Sequence, residues 1–195
     1  DHPERNRALL IESTNPVHSL AESEKFRQAM RAVDFSVVVD VALTETAREA
    51  SYFLPAATQY EKVETTFFSA GFPDNWICVR PPILKPPEGV LTEPEIHTRI
   101  IRELGLTKDV DFLPLRELAK KGLDEFSEGF MEFSINNPEV AALGAVALYE
   151  TLGAVLPDGM EGAAVLWFTA QQTALKYPSQ VKAAGHKGEG PSLGN

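Results

Sequence analysis

Short apolar runs near the start of the chain have the lengths and residue types of buried β-strands. Residues 8–11, 35–41 and 52–55 are runs of this kind, and each leads into a polar or proline-containing loop. The second run is rich in valine and apolar on both faces, which is typical of a central strand in a parallel sheet. The pattern therefore predicts three buried strands within the first 55 residues.

Helical periodicity separates these runs. Apolar residues at positions 26, 29, 30 and 33 recur at helical spacing, and Ser19 with Glu22 forms a capping-box pattern, so a helix is predicted over residues 20–33. Thr44 is a suitable N-cap for a shorter helix over residues 45–50. This β-α-β-α-β order predicts a Rossmann-like α/β fold, with helices flanking a parallel sheet joined by right-handed crossovers.

The later part of the chain has a different pattern. Residues 66–72 and 76–80 are predicted to be extended on either side of a turn at 73–75. Thr92 caps a helix that ends at Gly105, and the predicted buried face of this helix consists of Ile96, Ile100, Ile101 and Leu104.

Beyond that helix only helical patterns follow, over residues 113–176, and the Gly-rich tail after Tyr177 is predicted to be loose. We therefore divide the chain into an α/β domain, residues 1–105, and a C-terminal helical extension with its tail, residues 106–195.

Charge and composition exclude several classes of protein. The 195-residue chain has a formal net charge of −10, whereas binding to nucleic acid or to an anionic membrane needs a basic surface. An acidic protein can still bind a phosphate locally, through backbone N–H groups and a well-placed cation. The longest apolar stretch is too short to span a bilayer. Both ends of the sequence lead us to expect that it is a piece of a larger protein. A cytoplasmic location is the default expectation.

Polar residues follow the predicted strands at the edge of the sheet where such folds bind ligands. Asn15 follows the first strand, Asp40 ends the second, Thr44 opens the next helix, and Lys62 comes shortly after the third strand. A carboxylate such as Asp40 accepts both adjacent donors of guanine, N1–H and N2–H₂, and so selects guanine over adenine. Alternatively, Asp40 only caps the loop that follows.

Each of the other candidates also has a structural interpretation. Thr44 either receives a phosphate at a helix N-terminus or is a plain N-cap. Lys62 either pairs with a phosphate or is a surface lysine, and Asn15 with Pro16 also forms an ordinary turn. Glu93 also fits the role of a first-turn acid favoured by the helix dipole.

Other catalytic and binding motifs are absent from the sequence. Neither glycine-rich phosphate loop occurs, the four histidines lack metal-ligand spacing, and no Ser-His-Asp set is indicated. The single cysteine, Cys78, lies between Ile77 and Val79 and is predicted to be a small buried hydrophobic residue. No catalytic residue and no metal ligand are predicted in this chain.

Several of these segments together resemble molybdopterin oxidoreductases of the dimethyl-sulfoxide-reductase class, which includes formate dehydrogenases and nitrate reductases. The resemblance covers about residues 8–105 and lies in the segments Asn15-Pro16, residues 37–50, residues 52–56 and Tyr60-Glu61-Lys62. It implies that two α/β domains of the parent enzyme each hold one guanosine end of a bis-molybdopterin guanine dinucleotide cofactor with molybdenum or tungsten. It further implies that Asn15, Val39, Asp40, Thr44, Lys62 and Glu93 line one nucleotide pocket, with Asp40 on the guanine edge.

The chain also departs from that family's pattern. Many members follow the Glu-Lys pair with a Gly-Thr…Asn-x-Glu-Gly-Arg stretch, but residues 63–72 lack its arginine and second glycine. The family's cysteine cluster for iron–sulfur, its metal-ligating residue and its β-barrel domain are not in this sequence.

Three hypotheses follow. The first is a non-catalytic part of a molybdopterin-dependent oxidoreductase whose partners are the remaining domains of the parent and an electron-transfer subunit. The second is a cofactor-free scaffold for electron transfer, like the large peripheral subunit of respiratory complex I. The third is a stand-alone nucleotide-binding module of the same fold.

Overall fold

The computed structural model describes residues 2–66, 77–138 and 142–195, and these residues form two compact units. The first unit contains the described residues up to 61 together with 84–93. The second contains the described residues of 62–83 and of 94–195. The division into a cofactor-binding domain, residues 1–105, and an extension, 106–195, stays a prediction.

A three-stranded parallel sheet forms the centre of the first unit. Its strands are β1 (Ala8–Glu12), β2 (Phe35–Asp40) and β3 (Tyr52–Pro55), in the order β1-β2-β3. Leu10 lies opposite Val37, and Val37 lies opposite Tyr52. The predicted strands and the α/β class are confirmed, because continuous apolar runs of this length are buried most easily as adjacent strands.

The helix predicted over residues 20–33 is confirmed as the shorter α2 (Ser23–Ala32), and an unpredicted short helix, α1 (Pro16–Ser19), precedes it. Pro16 starts α1 immediately after the loop, and Leu20 adopts an extended conformation that ends it. The predicted capping box is wrong, since the Ser19 hydroxyl donates to the Asn15 carbonyl and Glu22 makes no side-chain cap.

One face of α2 closes the core of the first unit. Met30 is 2% exposed and packs with Ile11, Val17, Val38 and Ala47. The opposite face of the sheet remains open to solvent over several apolar side chains, including Leu10, Phe35 and Tyr52.

The predicted helix over residues 45–50 is wrong, because only a short 3₁₀ helix, Ala47–Glu49, forms there. Six residues are too few for a stable α-helix without extensive packing. Thr44 nevertheless stabilises this turn, since its Oγ1 accepts a hydrogen bond from the Ala47 N–H at 3.2 Å.

The chain returns to the end of β3 through residues 84–93. Ala57 N donates to the Leu91 carbonyl at 2.8 Å, and Leu91 N donates to the Pro55 carbonyl at 3.3 Å. Ala56 and Ala57 are buried there, and their small side chains allow the two segments to approach closely.

Helices dominate the second unit. They are α3 (Glu93–Glu103), α4 (Leu113–Lys121), α5 (Leu123–Asn136), α6 (Gly144–Glu150), α7 (Ala164–Lys176) and α8 (Pro178–Ala183). Glu93, the first residue of α3, is also the last residue of the first unit. A two-stranded antiparallel ladder, β4 (Glu64–Thr65) with β5 (Val79–Arg80), accompanies them. The predicted helical extension is confirmed for the described residues.

The core of the second unit lies among α4, α5, α6 and α7. Phe126, Phe130 and Trp167 are in mutual ring contact, with centroids 5.1–5.5 Å apart. Leu115 and Leu148 are buried against this cluster. The aromatic residues of α5 at helical spacing are therefore core residues, as their pattern indicates.

Three further predictions of the sequence need correction. Leu104 is 66% exposed, so the buried face of α3 is centred on Ile96 and does not extend to the end of the helix. Cys78 is exposed because it lies in a short segment beside the ladder and not in a core strand. The tail is not loose, since it forms α8 and a 3₁₀ helix, Gly190–Gly194, whose Leu193 is only 6% exposed.

The predicted turn at 73–75 and the greater part of the predicted extended segments, residues 67–72 and Trp76, lie outside the described residues. Gly105 has a φ of +70° just after α3, as the predicted helix end requires. No helix in the described part of the chain is long and apolar enough to cross a membrane.

Candidate functional site

The carboxyl ends of β1 and β2 are joined by a close main-chain contact. Ser13, directly after β1, has a φ of 53° and donates its N–H to the Val39 carbonyl at 3.0 Å. A positive φ is uncommon for a residue other than glycine, and such conformations cluster at functional loops. The loop after β1 is thus fixed against the end of the central strand.

Asp40 is the last residue of the central strand and lies at the edge of the sheet, as the sequence predicts. Its carbonyl accepts the Ala56 N–H at 3.0 Å, and its Oδ1 accepts the Val41 N–H at 2.7 Å. The side chain is half-buried. No ion pair within the described residues includes Asp40, so its carboxylate keeps acceptor capacity at the strand end.

Asn15 connects the loops that follow β1 and β2 through side-chain hydrogen bonds. Its Oδ1 accepts hydrogen bonds from Thr46 N at 3.2 Å and from Thr46 Oγ1 at 2.8 Å. Its Nδ2 donates to Glu45 Oε2 at 2.7 Å. Thr46 Oγ1 in turn accepts the Val17 N–H at 3.0 Å.

Sequence reasoning missed Thr46 and Glu45. Thr46 is completely buried, and it links residues about thirty positions apart, which no local pattern reveals. The hydrogen bond from Asn15 lowers the pKa of the Glu45 carboxyl below its ordinary range, with smaller contributions from a backbone hydrogen bond and from the charges of His18 and Arg48. The Thr-Glu-Thr stretch at 44–46 was the available signal, since it places three hydrogen-bonding side chains in one loop.

Val39 and Thr44 lie in the same region of the first unit. The Val39 side chain is fully buried and its carbonyl accepts the Ser13 N–H, so Val39 helps to fix the strand end. The Thr44 side chain is half-buried, and its hydroxyl is used by the Ala47 N–H. The structure therefore brings Asn15, Val39, Asp40 and Thr44 to one edge of one sheet.

Lys62 and Glu93 do not belong to the loops that follow β1 and β2. Lys62 belongs to the second unit, and Glu93 is the first residue of α3; both side chains are half-buried. Their predicted roles stay predictions.

Two further features of the site concern strand order and metal ligands. The three strands follow one another in one direction across the sheet, so no reversal of strand order occurs among the described strands, although such a switch point often marks a ligand crevice. No group of three or more His, Cys, Asp or Glu side chains suited to hold a metal ion occurs within the described residues.

Comparison with known proteins finds a family model that is similar to the first part of the chain. Residues 2–87 match the family model for molybdopterin oxidoreductase. This range contains Asn15, Val39, Asp40, Thr44 and Lys62, and Glu93 lies outside it.

Curated relatives match about half of the chain. The chain is 30% identical over 116 residues to the probable oxidoreductase YoaE of Bacillus subtilis, which is 57% of this chain and 17% of that protein. It is 31% identical over 106 residues to a nitrate reductase of Synechocystis, which is 54% of this chain and 14% of the relative. The probable oxidoreductase YyaE of Bacillus subtilis is 25% identical over 97 residues, again 14% of its length. No solved structure matches the chain at a significant level.

Proposed function

We propose that the chain holds one guanosine end of a bis-molybdopterin guanine dinucleotide cofactor, because residues 2–87 match the family model for molybdopterin oxidoreductase. In this proposal Asp40 binds the guanine edge. Asn15, Val39, Thr44, Lys62 and Glu93 complete or support the nucleotide pocket.

The position of the Asp40 carboxylate carries the proposal. Ligands of open α/β sheets bind beyond the carboxyl ends of the strands, and Asp40 ends the central strand β2. One of its oxygens already accepts the Val41 N–H, which orients the carboxylate, and neither oxygen is neutralised by a cation among the described residues. A half-buried carboxylate with free lone pairs suits the two adjacent donors of guanine.

The surrounding residues support this role by fixing the loops. The network of Asn15, Glu45 and Thr46 joins the loop after β1 to the loop after β2. Asn15 Oδ1 already accepts two hydrogen bonds, so we assign it a positioning role beside the nucleotide. The Thr44 hydroxyl accepts the Ala47 N–H and so fixes the turn that follows the loop after β2.

The cofactor, when bound, supplies the redox chemistry, while the protein supplies binding and orientation. We propose that this chain contributes no catalytic residue and is inactive alone. The parent enzyme would transfer an oxygen atom or hydride equivalents in the cytoplasm, and electrons would pass through its iron–sulfur centres to a partner subunit. The relatives named oxidoreductase and nitrate reductase support the class of reaction.

Calorimetric titration of the chain with GMP and with AMP tests the guanine assignment. We expect the wild-type chain to bind GMP more tightly than AMP, and we expect Asp40→Asn to weaken GMP binding about tenfold or more, since hydrogen bonds to a charged group contribute roughly 1.5–3 kcal/mol. An asparagine presents one acceptor and one donor, which suits adenine better than guanine. The preference for GMP over AMP should therefore disappear or reverse.

Asp111→Asn is the matched control. Asp111 also uses Oδ1 to accept a backbone N–H, that of Leu113 at 2.9 Å, but it belongs to the second unit. It should leave the GMP preference intact. If the folded wild-type chain, judged by circular dichroism, shows no preference for GMP over AMP that Asp40→Asn removes, the guanine assignment is wrong and the cofactor-free scaffold becomes the better hypothesis. Equal binding of both nucleotides would report only a site for their shared phosphate.

A further inference from the structure

A polar cavity of about 370 Å³ lies in the second unit. Its lining includes Arg102 of α3, Thr107 and Lys108 of the following turn, Arg116 of α4, and Glu150 at the end of α6. Residues from three helices and a turn thus place three cationic side chains around one cavity. The overall charge of the chain is −10, which makes such a grouping unusual for this molecule.

The buried carboxylate of Glu150 fixes two of these cations. Its side chain is 6% exposed, whereas those of Arg102 and Arg116 are 51% and 38% exposed. Arg116 Nη2 donates to Glu150 Oε2 at 2.6 Å, and Arg116 Nε donates to the Glu150 carbonyl at 2.5 Å. Arg102 forms an ion pair with the other carboxylate oxygen. Burial of this charge requires pairing, so the two guanidinium groups are held in place.

The charges around the cavity are not fully balanced within it. Two guanidinium groups share one carboxylate, and each keeps N–H donors that have no partner among the described residues. Lys108 adds a third positive charge, and its Nζ is 4.0 Å from the nearest carboxylate oxygen, that of Asp109. Asp111 also lines the cavity and accepts the Leu113 N–H, so three cations face the two carboxylates of Asp111 and Glu150 and leave one net positive charge.

We propose that this cavity binds the phosphate group of a small phosphorylated molecule. Planar guanidinium groups match phosphate geometry with paired N–H donors, and a lysine adds a mobile charge. Glu150 acts as the buried support that positions both arginines, while Arg102, Lys108 and Arg116 contact the ligand. The site lies outside residues 2–87, so it does not rest on the nucleotide-binding proposal.

The test is a titration of the ¹⁵N-labelled full chain with inorganic phosphate at constant ionic strength, followed by amide chemical shifts. We expect the amides of Thr107, Lys108 and Leu113 to shift in a saturable manner. Arg102→Gln and Lys108→Gln should each weaken binding about threefold to tenfold, which is the range for partly exposed charge contacts. Ribose 5-phosphate should bind at least as well as phosphate, and ribose should not bind.

Two controls separate this site from other effects. Lys120→Gln removes an exposed cation of the same helix, α4, whose partner Glu117 lies outside the cavity lining, and should leave the affinity unchanged. Asp40→Asn should also leave it unchanged, which distinguishes a failure here from a failure of the guanine assignment. Absent shifts, shifts unaltered by Arg102→Gln and Lys108→Gln, or an equal loss in Lys120→Gln would overturn the proposal and leave Arg102, Glu150 and Arg116 as a structural ion-pair network only.

Discussion

At the scale of single residues, the Thr46 hydroxyl is the most constrained polar group near the candidate site. It is fully buried, accepts the Val17 N–H and donates to Asn15 Oδ1. Thr46→Val keeps the shape of the side chain but leaves the Val17 N–H without an acceptor and removes one of the two hydrogen bonds to Asn15 Oδ1. We expect the free energy of unfolding to fall by about 1–3 kcal/mol, measured by urea denaturation.

Thr173→Val provides the matched comparison. The Thr173 hydroxyl donates to the Thr169 carbonyl on an exposed face of α7. Because solvent can replace that hydrogen bond, its loss should change stability by no more than about 0.5 kcal/mol. Equal effects of the two substitutions would contradict the role assigned to Thr46.

Asp34, like Glu45, is a residue of the first unit whose ionisation links pH to stability. Hydrogen bonds from Arg5 Nη2 and Arg7 Nε, both 2.6 Å, hold the pKa of the Asp34 carboxyl below its ordinary range. Since the folded-state pKa is lower than the unfolded one, the stabilisation is complete above the ordinary aspartate pKa and is lost as pH falls through the lowered value.

Carboxyl titration followed by NMR checks this coupling. Arg5→Gln should raise the pKa of Asp34 more than Arg7→Gln, because Arg5 is the larger of the two influences. Lys25→Gln, which breaks an exposed pair with Glu22, should leave the Asp34 titration unchanged. A pKa that stays low in the Arg5 and Arg7 variants would show that another group controls it.

Single residues also show how far the sequence can predict the site. The position of Asp40 at the end of β2 was predictable, because a carboxylate that ends a run of valines is a local signal. The pairing of Asn15 with Thr46 was not, because it depends on how two loops meet once the strands have aligned. The family resemblance supplied the set of candidate residues. The structure places Asn15, Val39, Asp40 and Thr44 of this set at the edge of the sheet.

At the scale of elements, the strands were predicted better than the helices. The three apolar runs became β1, β2 and β3 with bounds close to those predicted, since apolar residues on both faces leave little choice of position. The helix predicted over 20–33 is shorter than expected, and Pro16 starts a separate helical turn, α1, that ends at the predicted cap, Ser19. Helix starts depend on loop geometry that a capping pattern alone does not fix.

Replacement of glycine by alanine should have opposite effects on stability at Gly153, which starts a 3₁₀ helix (Gly153–Val155), and at Gly144, which starts α6. A Cβ at Gly153 would lie 2.8 Å from the Glu161 carbonyl oxygen, which is backbone and cannot move aside easily. Gly153→Ala should therefore destabilise the chain by about 1–3 kcal/mol. A Cβ at Gly144, at the start of α6, would meet no atom within 4 Å, so Gly144→Ala should be neutral or stabilise by up to about 1 kcal/mol.

Thermal melts followed by circular dichroism measure both substitutions under the same conditions. The comparison isolates the close approach at Gly153, because each change adds the same methyl group and removes the same backbone freedom. A Gly153→Ala variant as stable as the wild type would mean that the segment containing Glu161 moves away readily.

At the scale of the whole molecule, contacts between distant segments determine what the sequence could not show. The predicted loose tail is held by Asn195, whose Oδ1 accepts hydrogen bonds from Ser127 Oγ, Trp167 Nε1 and Gln171 Nε2. The tail is rich in glycine. Gly194 allows the tail to approach α7 closely, since a Cβ at this position would lie 2.8 Å from Gln171 Cα. At this position glycine therefore allows close packing of the tail and does not make the tail mobile.

Leu193 provides the test of this docked tail. Its side chain is 6% exposed, so Leu193→Ala should remove buried apolar surface, leave a cavity and lower the free energy of unfolding by about 2–5 kcal/mol. Leu175→Ala removes the same atoms from a side chain that is 66% exposed and should change stability by less than about 0.5 kcal/mol. Urea denaturation gives both values, and hydrogen exchange of the Trp167 indole N–H reports on the tail directly, because that proton is donated to Asn195. If Leu193→Ala leaves both stability and indole protection unchanged, the tail does not contribute to the core of the second unit, and the prediction of a loose tail was correct.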